Sequence, residues 1–444
     1  MSLIFGHDSV LVSLAVVATF FATVPANAQP AGFNYDEDKV PNYTLPELLT
    51  TTDGVSVTTA DQWSQQRRPE VLALFEDHVF GKLPPKARSL RIREFSRKTD
   101  AVEGTAVRRE IRVFFSDADD GPFMDLMVYT PATADGPVPC FLGLNFHGNH
   151  TIEADPSIRL SESWVRNDKA HANSDNRASE ASRGTSSSRW PLKMILARGY
   201  GVATIYYGDI DPDFDDDFRN GIHSLVEADR GDRARESNAG GSISAWTWGL
   251  MHALDVLQTD SLVDGKKVAV MGHSRLGKTS LWAGACDPRF AMVISNDSGC
   301  GGAALSRRQF GETVKRINTS FPHWFCLKHR DYNDNEAAMP VDHHMLLALS
   351  APRPLYVASA EDDKWADPRG EFLSLFHAGP VYELFGKKGL PSDRMPPVNE
   401  PIQTDVAYHI RTGGHDVTDF DWNAWMDFAD IEAEAVAPEQ CLHR

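Results

Sequence analysis

The order of apolar runs and helical periods along the chain predicts an α/β fold. Strand-like runs that suit antiparallel pairing come first, and strands that alternate with amphipathic helices follow them. Strands of the second kind usually form a parallel sheet with helices on both faces. We therefore predict a mostly parallel, twisted sheet flanked by helices on both faces, in the order that is typical of an α/β-hydrolase.

The predicted strands are short apolar runs. They cover residues 106–115, 124–129, 140–146, 201–207, 267–271, 291–295, 354–359 and 406–411. The predicted helices have apolar residues at helical spacing, which gives each of them a face to bury. They cover residues 68–80, 242–257, 275–285, 342–349, 371–385 and 421–431.

The first 28 residues resemble a secretory signal. Val10–Val24 is almost wholly apolar but short for a membrane span, and Ala26-Asn27-Ala28 fits the small-x-small cleavage rule before Gln29. No Lys or Arg precedes the apolar run, which departs from the usual pattern. We predict cleavage after residue 28 and a secreted or periplasmic protein that has no membrane partner once the signal is removed.

The rest of the chain is predicted to be a short leading segment and one catalytic domain. Residues 29–100 are expected to wrap on the core, and residues 101–444 to form the α/β-hydrolase domain. A polar insertion at 151–189 is rich in Ser, Asn, Asp and Arg and falls at the sheet edge where α/β proteins bind ligands. We interpret it as a substrate-facing loop; a disordered decoration is the alternative.

Composition excludes some partners. With 444 residues and a formal net charge of −18, the chain is unsuited to nucleic acid or anionic membrane. The charge suits a solvated enzyme that acts on a mostly neutral polymer, and it equally suits plain solubility. We expect a monomer.

The five cysteines allow at most two disulfides and leave one thiol over. Their spacings match no zinc pattern. Cys441, in the tail, is the first candidate for the unpaired thiol.

One turn supports two incompatible functions. Gly272 to Thr279 satisfies the P-loop pattern, which would make the protein a nucleotidase. The same residues place Ser274 in a sharp turn after an apolar strand, as a nucleophile elbow does. The bulky side chains of His273 and Arg275 stand where a P-loop must wrap closely around phosphate, which disfavours the first interpretation.

The elbow interpretation makes a demand that the chain meets. An acid and then a histidine should follow the serine, each just after the end of a strand. Asp297, Asp363 and His415 all lie at such positions. The elbow itself departs from the usual Gly-x-Ser-x-Gly, because Leu276 stands at the second glycine position and Gly277 comes one step later.

The motifs carry a family resemblance. They are Gly272-His273-Ser274-Arg275-Leu276-Gly277-Lys278, then Asn296-Asp297-Ser298-Gly299-Cys300-Gly301-Gly302-Ala303, and Asp363-Lys364-Trp365 followed by His415. Over about 140–428 the chain resembles bacterial glucuronoyl esterases, carbohydrate esterase family fifteen. The resemblance implies hydrolysis of the ester that joins a (4-O-methyl)glucuronate branch of glucuronoxylan to a lignin alcohol.

In this interpretation Ser274 attacks the ester carbonyl and His415 accepts its proton. Members of the family place the orienting acid after one of two strands, so Asp297 and Asp363 both remain candidates. We favour Asp363, because Asp297 is one methylene shorter than the Glu that fungal members carry at that position.

The remaining site residues hold the substrate. The backbone N–H of Arg275 is the expected oxyanion donor, and the resemblance implies that its guanidinium faces the same oxygen. The resemblance also implies that Lys278, Glu312 and Trp365 contact the sugar. A helix-surface Lys, a helix-surface Glu and a core Trp are the ordinary alternatives.

We predict no metal and no cofactor. His147 and His150, and the adjacent pair His343 and His344, lack a third well-placed ligand. His147-Gly148 instead follows a strand in the position where hydrolases build oxyanion loops. Two alternatives to a glucuronoyl esterase remain: an acetyl-xylan or other carbohydrate esterase, and a catalytically silent carbohydrate-binding protein on a hydrolase scaffold.

Overall fold

The computed structural model describes residues 29–87, 90–118, 121–227 and 233–441, with side chains as far as residue 432. The predicted signal and the side chain of Cys441 lie outside this part of the chain. The described residues form a ten-stranded sheet with helices packed on both of its faces. The fold class predicted from the sequence is therefore confirmed.

The strands are named in chain order. They are β1 (Arg91–Asp100), β2 (Ala106–Phe114), β3 (Phe123–Pro131), β4 (Val138–Asn145), β5 (Gly201–Tyr206), β6 (Val263–His273), β7 (Met292–Asn296), β8 (Leu355–Ala360), β9 (Ile402–Gln403) and β10 (Val406–Arg411). Their order across the sheet is β1-β2-β3-β5-β4-β6-β7-β8-β10-β9. The run from β5 to β10 is parallel, and antiparallel pairs flank it at both ends.

The α-helices of six or more residues are also named in chain order. They are α1 (Arg68–His78), α2 (Leu192–Ala197), α3 (Ser242–Leu257), α4 (Arg275–Cys286), α5 (Val314–Ser320), α6 (His343–Ala348), α7 (Pro368–Leu384) and α8 (Asp419–Cys441). No described helix is both long enough and apolar enough to cross a bilayer.

Alternation along the central strands explains why both faces are covered. In β8, Leu355 and Val357 pack into one apolar cluster, while Tyr356 and Ala358 pack into the other. Successive side chains of a strand point to opposite faces, so a strand that is apolar throughout needs a layer on each side. Residues of α3, α4, α6 and α7 fill the first cluster, and residues of α2 and α8 fill the second.

All eight predicted strands and all six predicted helices are present; most ends are shifted by a few residues, and α8 extends to Cys441, ten residues beyond its predicted end at 431. Four elements were not predicted: β1, β9, α2 and α5. β1 is an edge strand in which six of ten residues are charged and most are exposed, so it lacks the apolar run that marks the central strands. The turns of the polar insertion 151–189 bury Ile152, Ile158 and Val165.

Cys140, Cys286, Cys300 and Cys326 are free thiols. The first, third and fourth are buried, and Cys286 is half-buried. Burial raises the pKa of the Cys326 thiol to about 11, which keeps the thiol protonated and unreactive at neutral pH.

Candidate active site

Ser274 lies in the turn between β6 and α4, with a φ of 58° and a ψ of −129°. A positive φ is unusual for a residue with a side chain and is found where neighbouring structure enforces it. A Cβ on Gly272 would collide with the carbonyl of Leu276, and a Cβ on Gly277 would lie 3.0 Å from that of Ser298. Gly277 therefore allows close packing against the loop after β7, although it comes one position later than in the usual elbow.

The geometry of α4 does not suit a phosphate-binding loop. The Lys278 ammonium is buried and donates to the carbonyl of Ser298. The Thr279 hydroxyl donates to the carbonyl of Arg275, 3.0 Å away, within the helix. A P-loop requires the lysine and the hydroxyl at the phosphates and their Mg²⁺, and here both point elsewhere.

Ser274 and His415 line one cavity of about 360 Å³ at the carboxyl ends of the parallel strands. The Nδ1 of His415 lies 2.6 Å from an Oδ2 oxygen of Asp363, which follows β8. The Asp363 side chain is 5 % exposed and that of His415 is 42 % exposed. A buried carboxylate thus holds one nitrogen of an accessible imidazole, and the other nitrogen is left for chemistry.

Asp297, the other candidate acid, also lies near this pair but makes different contacts. One Oδ2 oxygen accepts from the Asn296 amide at 3.3 Å and lies 3.5 Å from the Arg411 guanidinium. The same oxygen is 4.0 Å from Nδ1 of His273. Burial raises the pKa of Asp297 well above its usual range, and the negative charge of Asp363 raises it further. Of the two candidates, Asp363 is the one that hydrogen-bonds the His415 ring.

Arg275 is held by a buried carboxylate that the sequence did not single out. Its Nη1 donates to Oδ2 of Asp213, which is fully buried in the loop after β5. Burial by itself would raise the pKa of Asp213, but the Arg275 guanidinium and the His323 donor hold it below its usual range. The guanidinium also lies over the Trp324 ring, 4.7 Å from its centroid.

Four more groups donate to the Asp213 carboxylate. The Trp324 indole is at 2.7 Å, the His323 Nε2 and the Tyr207 hydroxyl are at 2.9 Å, and the Arg166 guanidinium is at 3.2 Å. Arg166 comes from the polar insertion, so that segment reaches the network beside the cavity. Asp213 comes seven residues after the end of β5, beyond a helical turn at Tyr207–Ile210, and His323 and Trp324 follow no strand, so the sequence gave no positional signal for these three residues.

The three predicted sugar-binding residues line the same cavity as Ser274. Lys278 is buried, and burial lowers its pKa while the Glu312 carboxylate opposes that change. Glu312 and Trp365 are half-buried, and the Glu312 N–H donates to the Trp365 carbonyl at 3.1 Å. Gln29, Pro30, Phe321 and Trp324 complete much of the wall, and sequence reasoning missed all four.

His147 and His150, noted in the sequence, make different contacts. Nε2 of His150 meets the Ser182 hydroxyl at 2.8 Å. His147 instead stacks on His171, with ring centroids 3.6 Å apart and planes 15° apart, and Asp168 lies within reach of both. One ligand atom from each of His147, Asp168 and His171 lies within 4.8 Å of the others, so the absence of a metal stays a prediction.

A family model described as glucuronyl esterase, fungi, matches residues 234–386. A carbohydrate esterase from an unknown prokaryotic organism is 51 % identical over 95 % of this chain and 97 % of its own length. A 4-O-methyl-glucuronoyl methylesterase from Schizophyllum commune is 29 % identical over 84 % of this chain and 81 % of its own.

Solved structures are similar over nearly the whole described chain. A promiscuous esterase of carbohydrate esterase family 15 from a marine bacterial metagenome has a TM-score of 0.85 and 52 % identity. That match covers 90 % of this chain and 99 % of the other. A glucuronoyl esterase from Solibacter usitatus has a TM-score of 0.84 and 48 % identity, over 89 % and 99 % of the two chains.

Proposed function

Because the chain belongs to carbohydrate esterase family fifteen, the glucuronoyl esterases, we propose that it cleaves the ester between (4-O-methyl)glucuronic acid of glucuronoxylan and lignin alcohols. It is a carboxylic ester hydrolase, and glucuronate esters are its substrate class. The observation that carries the proposed serine-esterase mechanism is the short Asp363–His415 hydrogen bond in the cavity that Ser274 also lines.

We propose that Ser274, His415 and Asp363 work as a triad. His415 accepts the Ser274 proton as the hydroxyl oxygen attacks the ester carbonyl, and then delivers that proton to the leaving alcohol. Asp363 orients the ring and stabilises the imidazolium. Water then attacks the acyl-enzyme with His415 again as base, which releases the uronic acid and restores the serine.

We propose that Arg275 stabilises the negative charge that develops on the tetrahedral oxygen. Its backbone N–H lies at the start of α4, where N–H groups have no acceptor within the helix. Its guanidinium is 22 % exposed and borders the cavity. A cation at the positive end of a helix is unfavourable unless something compensates it, and Asp213 supplies that compensation.

Lys278, Glu312 and Trp365 are proposed to bind the uronate ring. A charged donor and a charged acceptor suit sugar hydroxyls, and an indole suits the apolar face of a pyranose. All three border the cavity beside Ser274, so a sugar bound to them would present its C6 ester to the serine.

The experiment compares a benzyl glucuronate ester with an aryl acetate, using the wild type and Ser274→Ala. We expect the wild type to prefer the uronate ester. By analogy with other serine hydrolases, Ser274→Ala should lower kcat by about 10⁶. Activity that survives in the variant would exclude the proposed nucleophile, and a preference for the acetate would favour the second candidate below.

A broader carbohydrate esterase, active on acetyl esters too, is the second candidate. The observation that favours it is the similarity to a solved structure described as promiscuous.

We further propose that the protein acts outside the cytoplasm as a monomer and needs no cofactor. N-terminal sequencing of the exported protein tests cleavage after Ala28, and light scattering tests its mass.

A further inference from the structure

The first described residues lie against the cavity. We define the strap as residues 29–37. The Gln29 amide donates to the carbonyl of Asp362 at 2.6 Å, one residue before the acid that holds His415. Gln29 and Pro30 both line the cavity that Ser274 lines. The strap therefore supplies part of the cavity wall, although it is hundreds of residues from the other wall residues in sequence.

The middle of the strap contacts the loops that carry the proposed sugar-binding residues. The Phe33 ring meets the Trp365 indole edge-on, with centroids 4.8 Å apart and planes at 88°. The Asn34 carbonyl accepts from the N–H of Gly311, at 2.8 Å, next to Glu312. Since Glu312 in turn donates its N–H to the Trp365 carbonyl, the strap fastens both loops at once.

The strap is anchored at its far end. Glu37 accepts from the Arg308 guanidinium at 2.7 Å, and Arg308 is buried against Asp367, at 2.9 Å. The Tyr35 hydroxyl donates to the Pro30 carbonyl at 2.8 Å, which folds the strap back on itself. Burial, together with the Asp363 and Glu312 carboxylates, raises the pKa of Tyr35 to about 12, so the phenol stays neutral beside the cavity.

We propose that the strap is a specificity-determining element that builds one wall of the sugar subsite and holds Trp365 and Glu312 in place. This proposal rests on the proposed function. The strap makes no contact with Ser274 or with the His415 ring among the hydrogen bonds and ring contacts of the described residues. Its loss should therefore affect recognition of the sugar and leave the hydrolytic machinery working.

Cleavage at the predicted site would place the strap at the start of the mature chain. Removal of residues 1–28 would make Gln29 the first residue of the mature chain, and its side chain is bonded at the rim of the cavity. The new N-terminus would then lie beside the substrate. The mature enzyme should accordingly be studied with Gln29 as its first residue and any affinity tag at the C-terminus.

The test uses the mature chain, Phe33→Ala, and a shortened chain that starts at Asp36. Each is assayed on a benzyl glucuronate ester and on 4-nitrophenyl acetate, with Tm measured for every variant. An aromatic pair of this kind corresponds to a change of about two- to tenfold in affinity. We expect KM for the uronate ester to rise by about that factor in Phe33→Ala and by more in the shortened chain, with kcat/KM on the acetate within about twofold of the mature chain.

Ile92→Ala is the matched control, because Ile92 is 48 % exposed on the edge strand β1. It should leave both substrates unaffected. If the shortened chain does not fold, Phe33→Leu, which keeps an apolar group but removes the ring, replaces it and should show an intermediate KM.

The outcomes separate the two proposals. Unchanged KM for the uronate ester in folded strap variants overturns the strap proposal alone, and so does an equal loss on both substrates. A wild type that cleaves only the acetate overturns the proposed function and the strap proposal with it. A selective rise in KM for the uronate ester supports both.

Discussion

Two aspartates hold two side chains, His415 and Arg275, that line the same cavity as Ser274, and they hold them in different ways. Asp363 contacts His415 through one hydrogen bond of 2.6 Å, and the imidazole is 42 % exposed. Asp213 holds Arg275 from a fully buried position, where four other groups also donate to it. The first arrangement leaves the base accessible, and the second immobilises a cation.

The difference follows from the chemistry asked of each side chain. A general base must change its protonation state twice in each turnover and exchange protons with substrate and water, which requires access. An oxyanion group works best when it is already aimed at the place where charge develops, because then it needs no reorganisation during the reaction. We infer that the Asp363–His415 pair serves the first task and the Asp213–Arg275 pair the second.

Within this comparison, the largest loss of kcat is expected when Asp363, which holds the base His415, is replaced. Asp363→Asn should lower kcat by about 10⁴, by analogy with serine proteases, because the amide favours the wrong imidazole tautomer. The pH dependence of kcat on the uronate ester measures the loss. Asp362→Asn is the matched control, since Asp362 is the exposed neighbour and should tolerate the change. Equal losses in the two variants would contradict the assignment.

Replacement of Asp213 or Arg275 should cause a smaller loss of kcat. Asp213→Asn frees the Arg275 guanidinium, and kcat should fall by about 10²–10³ with little change in KM, as when one oxyanion donor is removed. Arg275→Lys should give a similar loss. The double variant should lose no more than either single one, because the two residues act as a unit.

Asp211→Asn serves as the control for burial, because Asp211 is buried two residues away and its carboxylate lies 3.7 Å from Nε2 of His223. It should lower Tm without the specific fall in kcat. A loss of Tm in Asp213→Asn with kcat unchanged for the folded protein would reduce Asp213 to a purely structural residue.

A third buried acid, Glu371, should make the stability of the protein depend on pH. Glu371 accepts from the N–H groups of Ser298 and Gly299, at 2.8 and 2.9 Å, and burial raises its pKa to about 8. A raised pKa in the folded state means that its contribution to stability is fully present below the unfolded value of 4.5 and is lost as pH rises through 8.

Urea unfolding of the wild type and Glu371→Gln between pH 5 and 8 measures this effect. The free energy of unfolding of the wild type should fall by up to about 1.4 kcal/mol per pH unit relative to the variant. Other buried acids are present in both proteins, so the difference between the two curves isolates Glu371. Parallel curves would show that its pKa is not raised.

The smallest effect is expected at Asp297. Its side chain contacts Asn296 and Arg411, whereas the His415 ring is bonded by Asp363, so Asp297→Asn should lower kcat less than about tenfold. Steady-state kinetics on the uronate ester decides this. A loss as large as that of Asp363→Asn would mean that the two acids share the orienting role.

How far the fold could be predicted depends on burial. The central strands are apolar on both faces and were found from sequence, whereas β1 carries a charged residue at most outward positions and resembles a loop. Strand β9 has only two residues, which are too few to show an alternation of apolar and polar side chains. Prediction of the strands thus succeeded where both faces of a strand are buried and failed at the two edges of the sheet, where half of the surroundings are solvent.

The candidate site shows a similar division. The turn at Ser274 could be predicted because its residues are neighbours in sequence and the turn is local. The sequence favoured Asp363 as the acid that meets His415 but left Asp297 open, because both candidates follow neighbouring strands and the directions of their side chains distinguish them. Asp213 and the strap meet their partners across 62 and 333 residues, and no spacing in the chain records such pairings.

The sequence by itself determined the sequence of strands and helices and the strand-to-helix turn at Ser274, since apolar periodicity and glycine positions act over a few residues. Tertiary structure alone decided that Asp363 bonds to His415, that Asp213 holds Arg275, and that Phe33 lies against Trp365. The physical reason is that parallel strands bring their carboxyl ends to one edge, and which side chains touch there depends on loop shape and packing across the whole sheet.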